Sequence, residues 1–251
     1  MINEKPIISI VSAARRSARY KLFYDSVAVN NKIPFEIIFV GPNPPLEKMP
    51  DNFHYIKTHV KPGQCYEIAA RAAKGEYLHT PGDDFTFSKN YLNNLYKYIK
   101  MLDMDKVFIT VRNCHPDGKS EVNKKHIDHG FVFDAMILNA SYCGCAPVFR
   151  ADLWHKLGGY DKRFYGAYPD MDLQQRFYEY GMRPFLTPDC ILSEHNFYHI
   201  EDHSESMSVR CGTEDGEILR SFWIKEDGTI SKNRLLPVQS YDDKDILIKD
   251  Q

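Results

Sequence analysis

Runs of β-branched and aromatic residues alternate with helical stripes along most of the chain. Residues 7–12 (IISIVS) read as a strand buried on both faces, and residues 17–30 follow with Leu22, Phe23, Ser26 and Val27 on one helical stripe. The strand pattern returns at 35–40 (FEIIFV), GPNPP at 41–45 forces a loop, and 53–57 (FHYIK) reads as a third strand. An alanine-rich helix at 64–74 runs into a short strand at 75–80. After Ser88, a candidate N-cap, Leu92, Leu95, Tyr96, Ile99 and Leu102 recur at helical spacing, and 106–111 (KVFITV) supplies a further strand. Strand alternating with helix predicts an α/β fold with a mostly parallel central sheet and helices on both faces. Polar residues 113–129 read as a long surface loop, and residues 187–195 as a strand running out into a loop. Beyond about 209 the chain is charged and weakly periodic apart from 219–224 (LRSFWI), which predicts a small C-terminal appendage over 209–251 behind a main domain at 1–208.

Composition narrows the class. A chain of 251 residues with 43% hydrophobic and 13% aromatic side chains can build one large core. A net charge of −2 provides no basic surface for nucleic acid, so nucleic acid is not an expected partner. The six cysteines contain no CxxC pair, which predicts neither a zinc ribbon nor a disulfide framework and suits a reducing, cytoplasmic setting. The first apolar run has strand length and close flanking charges, unlike a signal peptide, and no stretch approaches a membrane span. Peripheral contact with a membrane stays compatible with this pattern.

Two acidic clusters carry the candidate chemistry. Residues 75–84 (GEYLHTPGDD) read as a strand broken by Pro81 and Gly82 and followed at once by Asp83 and Asp84. Adjacent side chains of an extended segment point to opposite faces, so one acid can reach a divalent cation while its neighbour reaches a sugar hydroxyl; a plain turn is the competing reading. Residues 158–181 open with two glycines and start a helix near Asp170, with Leu173, Phe177 and Tyr180 on its inner face. Asp170 suits a helix N-terminus electrostatically, and Asp172 has a structural partner in Arg176 at i,i+4. His195, His199 and His203 repeat every four residues, without the HExxH arrangement of zinc proteases.

With both clusters in place, the order of parts over roughly residues 6–205 resembles the family 2 glycosyltransferases of the GT-A fold. The resemblance rests on IISIVSAARR, the EIIFV strand, AKGEYL leading to GlyAspAsp, and GGYD followed by PDMDLQQR. It implies a donor-binding half at about 1–112 and an acceptor half at about 130–208. It also implies transfer from a nucleotide-diphosphate sugar, UDP-sugar ahead of GDP-sugar, to a hydroxyl of a glycan or other acceptor, with inversion.

In this reading Asp84 is the ligand of Mn²⁺ or Mg²⁺, Asp83 lies near the donor ribose, Asp170 is the general base, and His195 reaches the metal or the diphosphate. Ala13, Arg15 and Arg71 are weaker candidates for lining the nucleotide pocket. Several positions depart from the pattern. Gly82 and Pro169 stand where the family's motifs carry their first acids, Gly41 and Pro42 stand where relatives carry base-recognising acids, and CysTyrGlu at 65–67 replaces AlaArgAsn. A sugar-phosphate nucleotidyltransferase is the rival enzyme, although the loop SAARRS after the first strand lacks its glycines. A non-catalytic glycan-binding protein of the same fold is the rival from another class.

Overall fold

The computed structural model describes residues 5–114, 145–195, 213–229 and 231–246. His199, His203 and most of the loop and acceptor segments expected between 113 and 144 lie outside the described residues. One eight-stranded sheet runs in the order β3-β2-β1-β4-β7-β6-β8-β5. Its strands are β1 Ile8–Ala13, β2 Phe35–Gly41, β3 Phe53–Lys57, β4 Tyr77–His79, β5 Phe85–Phe87, β6 Val107–Cys114, β7 Cys145–Arg150 and β8 Arg183–Glu194. β1 pairs in parallel with β2 and β4, β2 with β3, and β6 with β8, while β5 and β7 pair antiparallel with their neighbours. The sheet is thus mixed, with the continuous apolar runs of β1 and β2 at the centre of one parallel part.

Helices cover both faces. On one side α1 (Tyr20–Ala28) and α3 (Tyr91–Met101) bury Phe23, Val27, Leu92 and Leu95 against Ile8, Ile10, Ile37 and Phe39. On the other, α2 (Pro62–Ala72), α4 (Ala151–Lys156) and α5 (Pro169–Glu179) bury Ile68, Trp154, Leu173 and Phe177 against Val11, Ile38 and Phe149. Leu22 and Tyr180, expected on buried stripes, are 51% and 45% exposed. The helix at 17–30 begins as a 3-10 turn, Ser17–Arg19, and α1 buries Tyr20, Phe23 and Val27, which leaves Leu22 about a hundred degrees around the helix from Phe23 on the solvent side; Tyr180 lies just past the end of α5. Ser88 does not cap α3. The cap position is Asn90 in the left-handed region, and Ser88 instead bonds β8 through Ile191 N to its Oγ at 3.2 Å.

The segment beyond 209 is fastened to the body. Helix α6 (Asp215–Trp223) buries Leu219, Phe222 and Trp223 with Phe164 and Met171. Arg234 then reaches back to two buried acids, Asp161 and Asp172. No helix among the described residues is long and apolar enough to cross a membrane.

His79, at the end of β4, is fully buried and hydrogen-bonded to the Tyr91 hydroxyl at 2.9 Å. Burial pushes its imidazole down to about 3. The unfolded chain therefore binds a proton between pH 6.5 and 3 that the folded chain refuses, so stability falls as pH falls through that window. Unfolding free energy is expected to drop by about 3 kcal/mol between pH 7 and pH 4 from this residue. Denaturant titrations at both pH values check it, and a His79→Gln variant with an unchanged pH slope would overturn the assignment.

Candidate active site

β1 is flanked by β2 on one side and β4 on the other, all three parallel, so the sheet's connections diverge at the carboxyl ends of β1 and β4. In open α/β sheets this is the crevice that ligands enter. Past Ala13, the half-buried last residue of β1, Ala14 donates its N–H to Val40 O at 2.8 Å and presses against Gly41. A Cβ on Gly41 would lie 1.7 Å from Ala14 O, so no acid, nor any side chain, fits there without moving the backbone. The departure noted at Gly41 thus follows from this close crossing.

The chain emerging over Gly41 is gripped by the acidic loop. Asp83 Oδ2 accepts the N–H groups of Arg15 at 2.7 Å and Arg16 at 2.8 Å, and Oδ1 pairs with Arg16 Nη1 at 2.5 Å. Asp83 is 2% exposed, and its position ahead of the 3-10 turn and α1 complements the partial positive charge of a helix start. Its observed role is therefore to lock the two loops together. Arg15 contributes its main chain, with its carbonyl accepting from Asn43 Nδ2 at 2.6 Å; its side chain is exposed.

Asp84 lies next to this lock, with Arg16 Nη2 at 3.6 Å from its Oδ2. Burial raises its carboxyl above the usual range, Arg16 pulls it back and the Asp83 charge adds to the rise. The loop continues into β5, a strand not anticipated from the sequence because PheThrPhe is too short to show a period. β5 pairs antiparallel with β8, and that pairing brings His195 to Asp84: His195 N donates to Asp84 O at 3.1 Å, and its Nε2 bonds Thr86 Oγ1 at 2.8 Å. Burial and the Arg19 charge lower the His195 imidazole, favouring the neutral form that ligates metals.

Asp170 enters from the other side. Tyr168 adopts φ +67°, a left-handed conformation costly for a bulky residue, and α5 then begins at Pro169. The loop before it is held by α6: Asp215, 1% exposed, accepts the N–H groups of Tyr165, Gly166 and Ala167, each at 2.8 Å. Burial raises the Asp170 carboxyl, and the N–H of Met171 opposes the rise. Between the clusters stands Tyr66 of α2, whose hydroxyl donates to Pro81 O at 3.0 Å and whose ring meets Tyr160 edge-on at 5.2 Å. Burial raises the Tyr66 phenol, a hydrogen bond with Ser12 opposes the rise, and the charges of Asp170, Asp83 and Asp84 add to it, so all three acids act electrostatically on this residue.

Other candidates fall elsewhere. Arg71 is not brought to the crevice: Nε bonds Glu67 Oε1, Nη1 bonds Asp243 Oδ1, both at 2.7 Å, and Nη2 bonds Tyr241 O at 2.8 Å. Asp172 is the partner of Arg176 expected from the i,i+4 spacing, at 3.0 Å, and is completely buried. Arg16, Tyr66, Tyr160 and Asp215 were not picked out from the sequence as site residues. Each gains its place through a partner at least 15 residues away, and Arg16 has nothing in the sequence to distinguish it from Arg15.

Among the described residues no group of three or more His, Cys, Asp or Glu side chains could hold a metal ion by itself. Asp84 and His195 meet through their main chains, and the His195 Nε2 is bonded to Thr86 Oγ1; a carboxylate and an imidazole are donors that suit a divalent ion only where phosphate oxygens supply its remaining positions.

Comparison with solved structures bears on the architecture. The fold is GT-A-like, a curled mixed sheet flanked by helices. Solved structures that share it include Staphylococcus aureus TarS, with a TM-score of 0.60 at 13% identity, covering 85% of this chain and 42% of that one. Residues 1–349 of TarS in complex with UDP-GlcNAc align with a TM-score of 0.61 at 14% identity, over 78% of this chain and 61% of that one. The same TarS fragment in complex with UDP gives 0.59 at 13% identity, over 85% and 69%. The chain thus spans about two fifths of the longer TarS chain. A scan against protein-family models finds no match, and neither does a search of curated proteins.

Proposed function

We propose that this protein is a glycosyltransferase moving a sugar from a nucleotide-diphosphate donor, UDP-sugar ahead of GDP-sugar, to a hydroxyl of a glycan or other acceptor, with inversion. The observation that carries this reading is the position of two acidic segments, Asp83 and Asp84 in the β4–β5 loop and Asp170 at the start of α5, which both act electrostatically on Tyr66, itself bonded to Pro81 O of that loop, at the switch point of a GT-A-like sheet. The fold neighbour TarS, a family 2 glycosyltransferase, has been solved with UDP and with UDP-GlcNAc, which favours a uridine donor.

Each residue then has a task. Asp84 and His195 would hold Mn²⁺ or Mg²⁺, which when bound supplies Lewis-acid stabilisation of the departing diphosphate. Asp83 keeps the loops closed at the ribose end, and the crossing of Ala14 over Gly41 shapes the neighbouring wall. Asp170 takes the proton from the acceptor hydroxyl as that oxygen attacks the anomeric carbon opposite the leaving group. Its buried setting suits this work, because a carboxylate with a raised proton affinity is a better base near neutral pH.

Incubation with a panel of nucleotide sugars and Mn²⁺, read as nucleoside diphosphate release, tests the proposal. Release from one donor, with Asp84→Ala abolishing the metal-dependent part of donor binding in a thermal-shift titration, is the expected result. Silence across all donors sinks the transferase reading. Gly82 and Pro169, where first acids are missing, make a glycan-binding protein of this fold the reading that silence would favour.

A further inference from the structure

Arg16 is the most tightly held cation at the acidic loop. Its own N–H and that of Arg15 both end on Asp83 Oδ2, its Nη1 ends on Asp83 Oδ1, and its Nη2 is thereby aimed at Asp84 Oδ2, 3.6 Å away. One buried carboxylate thus fixes both the main chain and the guanidinium of this residue. The guanidinium is only 15% exposed, so solvent screens it weakly. Arg19, one turn on, adds a second positive charge felt by Asp84 and His195. No compensating acid stands at Gly82, where even a Cβ would lie 2.5 Å from Asp84 Oδ1.

This arrangement bears on the metal-assisted reading given above, on which the inference rests. A divalent ion approaching Asp84 meets a guanidinium already facing the same carboxylate, and repulsion between fixed charges a few ångströms apart in a partly buried site is large against thermal energy. We propose that Arg16 is a built-in counter-ion that occupies the cation position beside Asp84 in the donor-free protein and makes divalent-metal binding conditional on the nucleotide diphosphate. The diphosphate brings both the negative charge that offsets the repulsion and oxygens that accept the Nη2 edge in place of Asp84. Metal and nucleotide then bind as a pair, and each raises the affinity for the other by the same factor.

Mn²⁺ binding, measured by titration of its free-ion electron paramagnetic resonance signal with and without saturating UDP, tests the proposal. The wild-type protein is expected to bind Mn²⁺ at least tenfold more tightly with UDP than alone. Arg16→Gln should bind Mn²⁺ alone at least tenfold more tightly than wild type, with the UDP enhancement reduced to match, whereas Arg16→Lys keeps the weak binding. A folded Arg16→Gln variant, checked by circular dichroism, whose affinity for Mn²⁺ alone is unchanged or weaker overturns the inference. Asp84→Asn separates the levels. If it loses Mn²⁺ while Arg16→Gln behaves as wild type, only the counter-ion role fails; if it binds Mn²⁺ with UDP as wild type does, the metal assignment at Asp84 fails and the inference goes with it.

Discussion

Asp170→Asn is expected to lower turnover by about 10² to 10⁴-fold, the usual contribution of a positioned general base, while leaving donor binding within about twofold. The amide is isosteric, so the α5 start, the Tyr168 conformation and the Asp215 clasp on residues 165–167 should persist. What disappears is the carboxylate that takes the proton, since an amide cannot act as a base at neutral pH. Steady-state kinetics with separate donor titrations check both parts, and near-normal turnover would remove Asp170 from the mechanism. The wild-type pH profile offers an independent check. A base must be deprotonated to act, and burial raises this carboxyl, so the acidic limb of kcat/KM should fall at a pH above the ordinary carboxylate range.

A comparably large effect, on stability rather than turnover, is expected two residues along the same helix. Asp172 Oδ1 accepts Arg234 Nε and Trp223 Nε1, both at 2.9 Å, and Oδ2 accepts Arg176 Nε at 3.0 Å. Arg234 continues to Asp161 at 2.8 Å, where Arg163 also binds at 2.7 Å. For Asp161 desolvation works against ionisation, yet the hydrogen bonds from Arg163, Gln239 and Arg234 hold it down at about 2. Asp172→Asn leaves two arginines, 4% and 5% exposed, without their shared anion, and breaking a buried pair in this way costs about 3–5 kcal/mol. Chemical denaturation should register the loss. A change under 1 kcal/mol, within the range of a surface pair, would mean that water screens the network. Because this network ties α6 to α5, the variant should also loosen the Asp215 clasp on the loop that delivers Asp170.

The contrast between these two acids shows how far the sequence could be read. The spacing that placed Asp172 opposite Arg176 is local, fixed by the helical period, and it held. Nothing local revealed that Arg234, 62 residues away, completes the same pair. Arg71 illustrates the opposite case: a guanidinium on a helix beside the crevice is a sensible phosphate ligand on paper, but the chain from Tyr241 to Asp243 takes up its donors. Strand β5 and the pairing that sets His195 beside Asp84 were invisible for a related reason, since a three-residue strand acquires its identity only from its partner.

By itself the sequence determined the alternation of strands and helices, the continuous apolar runs of β1 and β2, the break at Pro81 and Gly82, and the positions of Asp84 at a strand end and Asp170 at a helix start. Those features are written in short-range periodicity and turn chemistry, each of which acts over a few residues. Only the tertiary structure decided which charges face one another. It set Asp83 to lock the β1 loop, aimed Arg16 at Asp84, bonded the Tyr66 hydroxyl to Pro81 O, and drew the C-terminal helix in to hold the approach to Asp170. Electrostatic and hydrogen-bonding partners are chosen by distance in space, and no pattern along the chain carries that distance.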